Sequence, residues 1–305
     1  MKNHQNKLRL VEFESTDHIT LPALLYEPLN KTNKVAIFLH GNGNSSVFYA
    51  VKQMNVLADH LTQKDISLFS FNNRGAHYFH KLKRIKNGIE EDLKLGTAYE
   101  LIKDCLYDID GTVNYLSKLG YKTFYLIGES TGANKIVVYH YYKPKNKIEK
   151  YVLLSGGDDT GLYYQSMGKK KFYLALKKCQ VEIKKGNGIK LVPKYLVDYL
   201  FSYQSLYDTI NPDGDYNIFP FNEVFHNLKL SKKPLFREYK TINKPTLVVY
   251  GENDEYCYGD VPKCVKVLKK DCPNAKLFTF KIVKNADHGF NGKEEELAKI
   301  VSQWL

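Results

Sequence analysis

One serine of this chain lies in a setting that could make it a nucleophile. Ser130 is the centre of Gly128-Glu-Ser-Thr-Gly132, which matches the pattern G-x-S-x-G. The apolar run 123–127 before it predicts a buried strand, and apolar residues at helical spacing follow it until Lys143-Pro144. A serine at a sharp strand-to-helix turn has a strained backbone, and side chains at the two glycine positions would collide with the strand and the helix. We therefore predict that Ser130 is a catalytic nucleophile.

A serine hydroxyl is a weak nucleophile unless a base removes its proton, and the base needs a carboxylate to orient it. Nine histidines compete for the role of the base. His288 is the predicted base, because it follows the last predicted strand, 276–283, and precedes the last predicted helix. The other histidines are expected to have surface or packing roles, and His40 is expected to shape the glycine-rich turn that it precedes. Arg74 is expected to anchor its own turn.

Most of the chain alternates between short apolar runs and helical stretches, which predicts an α/β fold with a doubly wound, mostly parallel sheet. The first two predicted strands should form an antiparallel pair at one edge. The basic stretch 77–96 is predicted to be a loop and 98–119 a long helix. The predicted strands are 8–14, 19–26, 35–39, 66–71, 123–127, 151–154, 245–250 and 276–283. Ligands of such sheets bind beyond the carboxyl ends of the strands, where Ser130 and His288 both lie.

Residues 157–240 interrupt this alternation and are rich in aromatic side chains. We predict that they form a cap or lid insertion, which divides the α/β core into a first part, 1–156, and a second part, 241–305. Aromatic walls bury apolar or aromatic groups well. The insertion is therefore expected to favour esters with medium-length or aromatic groups over long-chain triglycerides.

Taken together, these segments resemble the serine hydrolases of the α/β-hydrolase fold. The resemblance is carried by five segments in the family's order: His40-Gly-Asn-Gly43, Asn72-Asn-Arg-Gly75, Gly128-Glu-Ser-Thr-Gly132, Gly251-Glu-Asn-Asp254 and Asp287-His-Gly289. It implies that Asp254 orients His288, although Asp158 or Asp159 after the preceding strand could take this role instead. It also implies an oxyanion hole made by the backbone N–H groups of Asn42 and Thr131. It implies no metal and no cofactor.

Composition restricts the partners and the compartment. The net charge of +12 comes from lysines scattered through the whole chain, and no standard nucleic-acid-binding motif is present, so a nucleic-acid partner is not expected. An anionic or carboxylated substrate stays open. The five cysteines are odd in number and form no C-x-x-C pair, which favours free thiols over disulfides or a zinc site. No signal peptide and no membrane span is recognisable, so a cytoplasmic location is expected.

These patterns predict a carboxylesterase that acts on small to medium or aromatic esters through an acyl-enzyme on Ser130. A thioesterase, lipase, peptidase, acyltransferase or siderophore-esterase-like enzyme would use the same three side chains, so the sequence does not decide among them. A ligand-binding member of the fold without catalysis is the alternative from another class. The substrate is expected to be a small molecule, and the oligomeric state stays open.

Overall fold

The computed structural model describes residues 6–305. Its strands are β1 (Lys7–Glu14), β2 (Thr20–Glu27), β3 (Lys34–Leu39), β4 (Ser67–Phe71), β5 (His80–Lys86), β6 (Ile89–Leu95), β7 (Thr123–Glu129), β8 (Ile148–Leu154), β9 (Thr246–Gly251) and β10 (Phe278–Val283). Its helices are α1 (Val51–Thr62), α2 (Cys105–Lys118), α3 (Thr131–Tyr142), α4 (Asp159–Lys184), α5 (Tyr203–Ile210), α6 (Phe221–Phe225), α7 (Val261–Asp271) and α8 (Glu294–Trp304).

Eight of the strands form one sheet in the order β1-β2-β4-β3-β7-β8-β9-β10. The six strands from β4 to β10 in this order pair in parallel, whereas β2 is antiparallel to both β1 and β4. The predicted α/β class and the antiparallel edge pair are therefore confirmed. Among residues 6–305, no helix combines the length and the apolar character needed to cross a bilayer.

Helices cover both faces of this sheet. In β3, Val35, Ile37 and Leu39 pack into the same apolar cluster as residues of α2, α3 and α7, because alternate side chains of a strand point to the same face. Ala36 and Phe38 of β3 point the other way, into a second cluster with residues of α1 and α8. Burial on both faces explains why this strand is apolar throughout.

The segment between β8 and β9 contains α4, α5 and α6 and has an apolar cluster of its own. Gly168 breaks α4 with a kink, since its φ is +71°. The cluster consists of Phe172, Ala175, Cys179, Val192, Leu196, Val197, Phe201, Tyr203, Leu206 and Ile210. The division of the chain at residues 156 and 240 and the role of this segment as a cap stay predictions.

The stretch 77–96 was predicted to be a loop, but it contains an antiparallel hairpin of β5 and β6. Its turn is Asn87-Gly88, whose φ values are +52° and +77°. Asn-Gly is a strong signal for a two-residue hairpin turn, so the sequence did contain the evidence. The prediction was wrong because both strands are largely charged and exposed and show little apolar alternation.

The helix predicted from residue 98 begins later, since α2 starts at Cys105 and follows a 3-10 turn at Ile102–Asp104. The preceding backbone is bonded to the segment between β8 and β9. The carbonyl of Ala98 accepts from Ser202 N, and Ile102 N donates to Asp208 Oδ2 at 2.8 Å. These distant partners replace the helical hydrogen bonds that the local sequence favours.

Candidate active site

Ser130 lies at the turn between β7, which ends at Glu129, and α3, which begins at Thr131. Its φ of +54° and ψ of −125° are strained for a residue with a side chain. Its N–H donates to the carbonyl of Leu154 at the end of β8, at 2.8 Å. The neighbouring strand therefore holds the turn, and Ser130 faces the space above the sheet.

The two glycines around Ser130 are required by close backbone contacts. A Cβ atom at Gly128 would lie 2.3 Å from the carbonyl oxygen of Gly132, and one at Gly132 would lie 2.1 Å from that of Leu39. Both distances are far below van der Waals contact, so neither position tolerates a side chain without movement of the backbone. These contacts hold α3 against β7 and β3, which positions Ser130 at the start of the helix.

His288 is brought to Asp254 by the loops that follow β9 and β10. The Nδ1 atom of His288 lies 2.9 Å from Asp254 Oδ1 and 3.0 Å from Oδ2. The side chain of Asp254 is 1% exposed, and its Oδ1 also accepts from Tyr256 N at 3.0 Å. An acceptor at Nδ1 fixes the tautomer of a neutral imidazole, with the proton on Nδ1 and the lone pair on Nε2. His288 can therefore act as a base through Nε2.

Backbone contacts hold these two loops together. Asn253 N donates to the carbonyl of Ala286 at 2.8 Å, and His288 N donates to Glu255 Oε2 at 3.1 Å. A Cβ atom at Gly251 would lie 2.3 Å from the carbonyl oxygen of Asp287, so glycine allows the loops to approach this closely. The relative position of acid and histidine thus depends on contacts between the loops.

The two rival carboxylates have other partners. Asp158 caps α4 by accepting from Gly161 N at 2.8 Å, and it also accepts from Asn222 N at 2.7 Å and Tyr258 Oη at 3.0 Å. Burial raises the pKa of Asp158 to about 7, against these hydrogen bonds, which lower it. Asp159 lines the same cavity as Ser130. Of these carboxylates, Asp254 is the one within hydrogen-bond distance of the His288 ring.

The predicted oxyanion donors lie beside Ser130. Thr131 is the first residue of α3, and the first N–H groups of a helix have no partner within it. A Cβ atom at Gly41 would lie 2.9 Å from Ser130 Cβ, which shows how closely the turn after β3 approaches the serine. Asn42, the next residue of this turn, lines the cavity together with Ser130.

Two residues expected to shape turns do so. The Nδ1 of His40 lies 2.8 Å from the carbonyl of Gly41, and its Nε2 accepts from Asn73 N at 3.1 Å, so it links two turns. Burial lowers the pKa of His40 to about 3, and it is therefore neutral. The guanidinium of Arg74 binds Asp108 and Asp17, each at 2.7 Å from Nη2, which anchors its turn.

His288 is surrounded by negative charge. Burial lowers the pKa of the imidazole, but the hydrogen bond and the charge of Asp254 raise it by more. The charges of Glu129 and Glu255 raise it further. The pKa of His288 is consequently raised above its ordinary value. The Glu129 carboxylate accepts from Gln53 Nε2, and its burial raises its own pKa.

A cavity of about 710 Å³ opens above Ser130. His288 and Asn42 contribute to its wall, together with Asp159 and other residues from the segment between β8 and β9. Five aromatic rings line it: Tyr78, Tyr163, Tyr199, Phe201 and Tyr256. The ring of Tyr256 packs edge-on against His288, with centroids 4.6 Å apart.

Sequence reasoning missed Tyr78 and Tyr256 as site residues. Tyr78 precedes the hairpin that was predicted to be a loop, so nothing local connected it to Ser130. Tyr256 offered a signal, since it is two residues after the candidate acid Asp254. Residues next to a catalytic side chain on the same loop commonly share its cavity.

Comparisons with known proteins agree with this architecture. A family model described as "Protein of unknown function (DUF1749)" matches residues 96–305. No curated protein matches the chain by sequence. The chain is similar in structure to the esterase Pf2001 from Pyrococcus furiosus, with a TM-score of 0.57 and 18% identity, covering 100% of this chain and 94% of the esterase.

Two further structures are similar to the chain. Est1E from Butyrivibrio proteoclasticus with bound ferulic acid has a TM-score of 0.60 and 15% identity, and the match covers 96% of each chain. A soluble variant of monoglyceride lipase from Saccharomyces cerevisiae, in complex with a substrate analogue, has a TM-score of 0.61 and 16% identity, covering 99% of this chain and 96% of the lipase. Identities this low show a shared fold. The predicted α/β-hydrolase fold is confirmed.

Proposed function

The chain belongs to the family described as "Protein of unknown function (DUF1749)", and from its candidate site we propose that it is a serine hydrolase that cleaves carboxylic esters. The observation that carries this proposal is the combination of a strained serine and an oriented histidine in one cavity. Ser130 has a φ of +54°, and His288 bonds Asp254 through Nδ1 at 2.9 Å. A binding protein would have no need for this combination. The esterases and the lipase that share the fold add support.

In the proposed reaction, Ser130 Oγ attacks the ester carbonyl while His288 Nε2 takes its proton. The N–H groups of Asn42 and Thr131 stabilise the negative charge that forms on the carbonyl oxygen. His288 then gives the proton to the departing alcohol, which leaves an acyl group on Ser130. Water, deprotonated by His288, attacks this acyl-enzyme. The bond between the acyl carbon and Ser130 Oγ then breaks, His288 returns the proton to Oγ, and the carboxylic acid is released. Asp254 orients His288 and stabilises its positive charge in both steps.

We assign residues 157–240 to a cap that selects the substrate. Tyr163, Tyr199 and Phe201 of this segment line the cavity beside Ser130. A volume of about 710 Å³ suits a ligand of small to medium size. We therefore propose small to medium or aromatic esters as substrates.

Covalent labelling tests the nucleophile directly. A fluorophosphonate probe followed by peptide mass spectrometry should give one adduct, on Ser130, because only this serine is activated. Ser130→Ala should abolish the adduct. Ser166→Ala is the matched control, since Ser166 lines the same cavity outside the turn, and it should label like the wild type. An adduct on another serine, or none in the folded protein, would refute the proposal and favour a binding role.

Substrate profiling tests the ester class. The kcat/KM for p-nitrophenyl esters from acetate to palmitate, with one aromatic ester, should be highest for medium-length or aromatic groups. A maximum at palmitate with activation at a lipid interface would instead identify a lipase. Faster cleavage of matched thioesters or peptides would identify a thioesterase or a peptidase.

A further inference from the structure

The charge of the cavity is opposite to that of the protein. The chain has 45 lysine and arginine residues against 33 aspartates and glutamates. Among the described residues that line the cavity, there is no lysine and no arginine, whereas Glu129 and Asp159 are both acidic. A basic protein whose cavity is lined only by acidic charges beside its histidine attracts cations into that cavity and repels anions.

Asp159 is the carboxylate with unused binding capacity. Glu129 is bonded to Gln53, but the hydrogen bond that Asp159 Oδ2 accepts from Asn134 Nδ2 is long, at 3.4 Å. Within residues 6–305, no lysine or arginine forms an ion pair with Asp159. Burial raises its pKa to about 6, whereas the charge of His288, a backbone hydrogen bond and the charge of Lys135 lower it, so it is ionised at pH 8. A partly buried carboxylate without a cation nearby is stabilised when a ligand supplies the positive charge.

Asn134 holds the backbone before this carboxylate next to the helix that follows the nucleophile. Asn134 lies one helical turn after Ser130 on α3, and its side chain also bonds both backbone groups of Gly157. The loop that leads into Asp159 is thereby attached to the helix of the nucleophile. A ligand can therefore place one group at Ser130 and another at Asp159.

Aromatic rings line the same cavity as Asp159. Tyr163 packs edge-on against Tyr199 and Phe201, with centroids 6.4 Å and 5.8 Å apart, and all three line the cavity. The faces of tyrosine and phenylalanine rings attract cations, most strongly ammonium groups that have lost water. Aromatic rings next to an unpaired carboxylate are the two elements that an ammonium site needs.

We propose that the cavity binds esters that carry an ammonium group, with Asp159 as the counter-ion and the Tyr163 cluster (Tyr163, Tyr199 and Phe201) as its aromatic wall. This inference rests on the proposed function, since the ester itself would lie at Ser130. Carboxylated substrates are disfavoured despite the net positive charge of the protein, because Asp159 and Glu129 repel them.

Three probes with one alkyl chain test the proposal. Hexylammonium, 1-hexanol and hexanoate each contain six carbons, and their end groups are cationic, neutral and anionic, respectively. Each is used at pH 8 to slow the labelling of Ser130 by a fluorophosphonate, which gives its apparent dissociation constant. Hexylammonium should bind at least about tenfold more tightly than 1-hexanol, and hexanoate most weakly. In turnover, p-nitrophenyl 6-aminohexanoate should likewise have a higher kcat/KM than p-nitrophenyl heptanoate.

Asp159→Asn should reduce the preference of hexylammonium over 1-hexanol to near one, because the charge is removed and the shape is kept. Asp65→Asn is the matched control, since Asp65 is exposed and precedes β4, at the amino-terminal ends of the parallel strands, whereas Ser130 lies at their carboxyl-terminal ends. It should keep the full preference. Circular dichroism and thermal melting check that both variants are folded.

Equal binding of hexylammonium and 1-hexanol would overturn the ammonium site, and so would a preference that persists in Asp159→Asn. The proposed hydrolase would still stand in either case if Ser130 is labelled. Absence of labelling would refute the proposed hydrolase. In that case, the three dissociation constants measured by calorimetry still decide whether the cavity prefers an ammonium group.

Discussion

Lys135→Met should lower the free energy of unfolding by about 3–5 kcal/mol, because it leaves a carboxylate buried without its cation. Lys135 lies on α3, and its side chain is 1% exposed. Its Nζ lies 2.5 Å from Oε1 of Glu100, whose side chain is 4% exposed, and 3.0 Å from Asn73 Oδ1. The carboxylate also packs closely against Gly75, since a Cβ atom at that position would lie 2.0 Å from it.

Removing both charges should recover most of the lost free energy of unfolding. Replacing a buried ion pair by apolar residues of similar volume is often neutral, whereas removing one partner is not. The free energy of unfolding of the double variant Lys135→Met/Glu100→Met should therefore lie within about 1.5 kcal/mol of the wild-type value. Asn73 Oδ1 would still accept from Gly75 N at 3.0 Å. The coupling between the two sites should consequently be large and favourable in a double-mutant cycle.

Urea denaturation measures these free energies. Far-UV circular dichroism and the fluorescence of Trp304, the single tryptophan, should give coincident transitions if unfolding is two-state. Lys83→Met is the control, because Lys83 forms an exposed ion pair with Glu90 at 2.6 Å. This variant should have the same free energy of unfolding as the wild type. A loss below about 1 kcal/mol for Lys135→Met, or a double variant no more stable than the single one, would refute the reasoning.

Three further results are expected. Asp254→Asn should reduce kcat for ester cleavage by about 10³–10⁴-fold, because His288 loses its orienting acceptor, whereas Asp158→Asn should keep most of the activity. The kcat/KM should rise with pH, since His288 must be neutral to accept a proton, and the midpoint should lie above about 6.5, the ordinary pKa of histidine, because the pKa of His288 is raised. Gly132→Ala should lower the urea-derived stability by about 3 kcal/mol or more, whereas Gly157→Ala, whose Cβ would have its nearest neighbour at 3.9 Å, should change it by less than about 1 kcal/mol.

Each of these results can fail in a distinct way. Near-normal turnover in Asp254→Asn would assign the orienting role to another carboxylate. A rate that falls as the pH rises from 5 to 8 would exclude His288 as the base. Equal stability of the two alanine variants would show that the backbone near Leu39 relaxes more easily than the contact distances indicate.

The amino-acid sequence alone determined the sheet and the turn at Ser130. Runs such as 35–39 are apolar throughout because both faces of a central parallel strand are buried, and this property is local. The glycines around Ser130 are also a local signal, since close backbone contact and a positive φ at the serine restrict the neighbouring residue types. Patterns within a short window were sufficient for these elements.

Contacts between distant residues decided the rest. The start of α2 depends on Ser202 and Asp208, which are about a hundred residues away from the backbone groups that they bind. The sequence left the carboxylate partner of His288 open between the loops after β8 and β9. The structure brings Asp254 to His288, because glycine at position 251 lets the loops after β9 and β10 approach.

The charge of the cavity also depends on the tertiary structure. Composition describes a basic protein, and no local pattern indicates which side chains face Ser130. Glu129, Asp159 and the aromatic rings come from five separate stretches of the chain and meet only after the sheet and the segment between β8 and β9 have packed. A preference for cations is therefore a property of this packing, because electrostatic attraction depends on the distances between groups and not on their order in the chain.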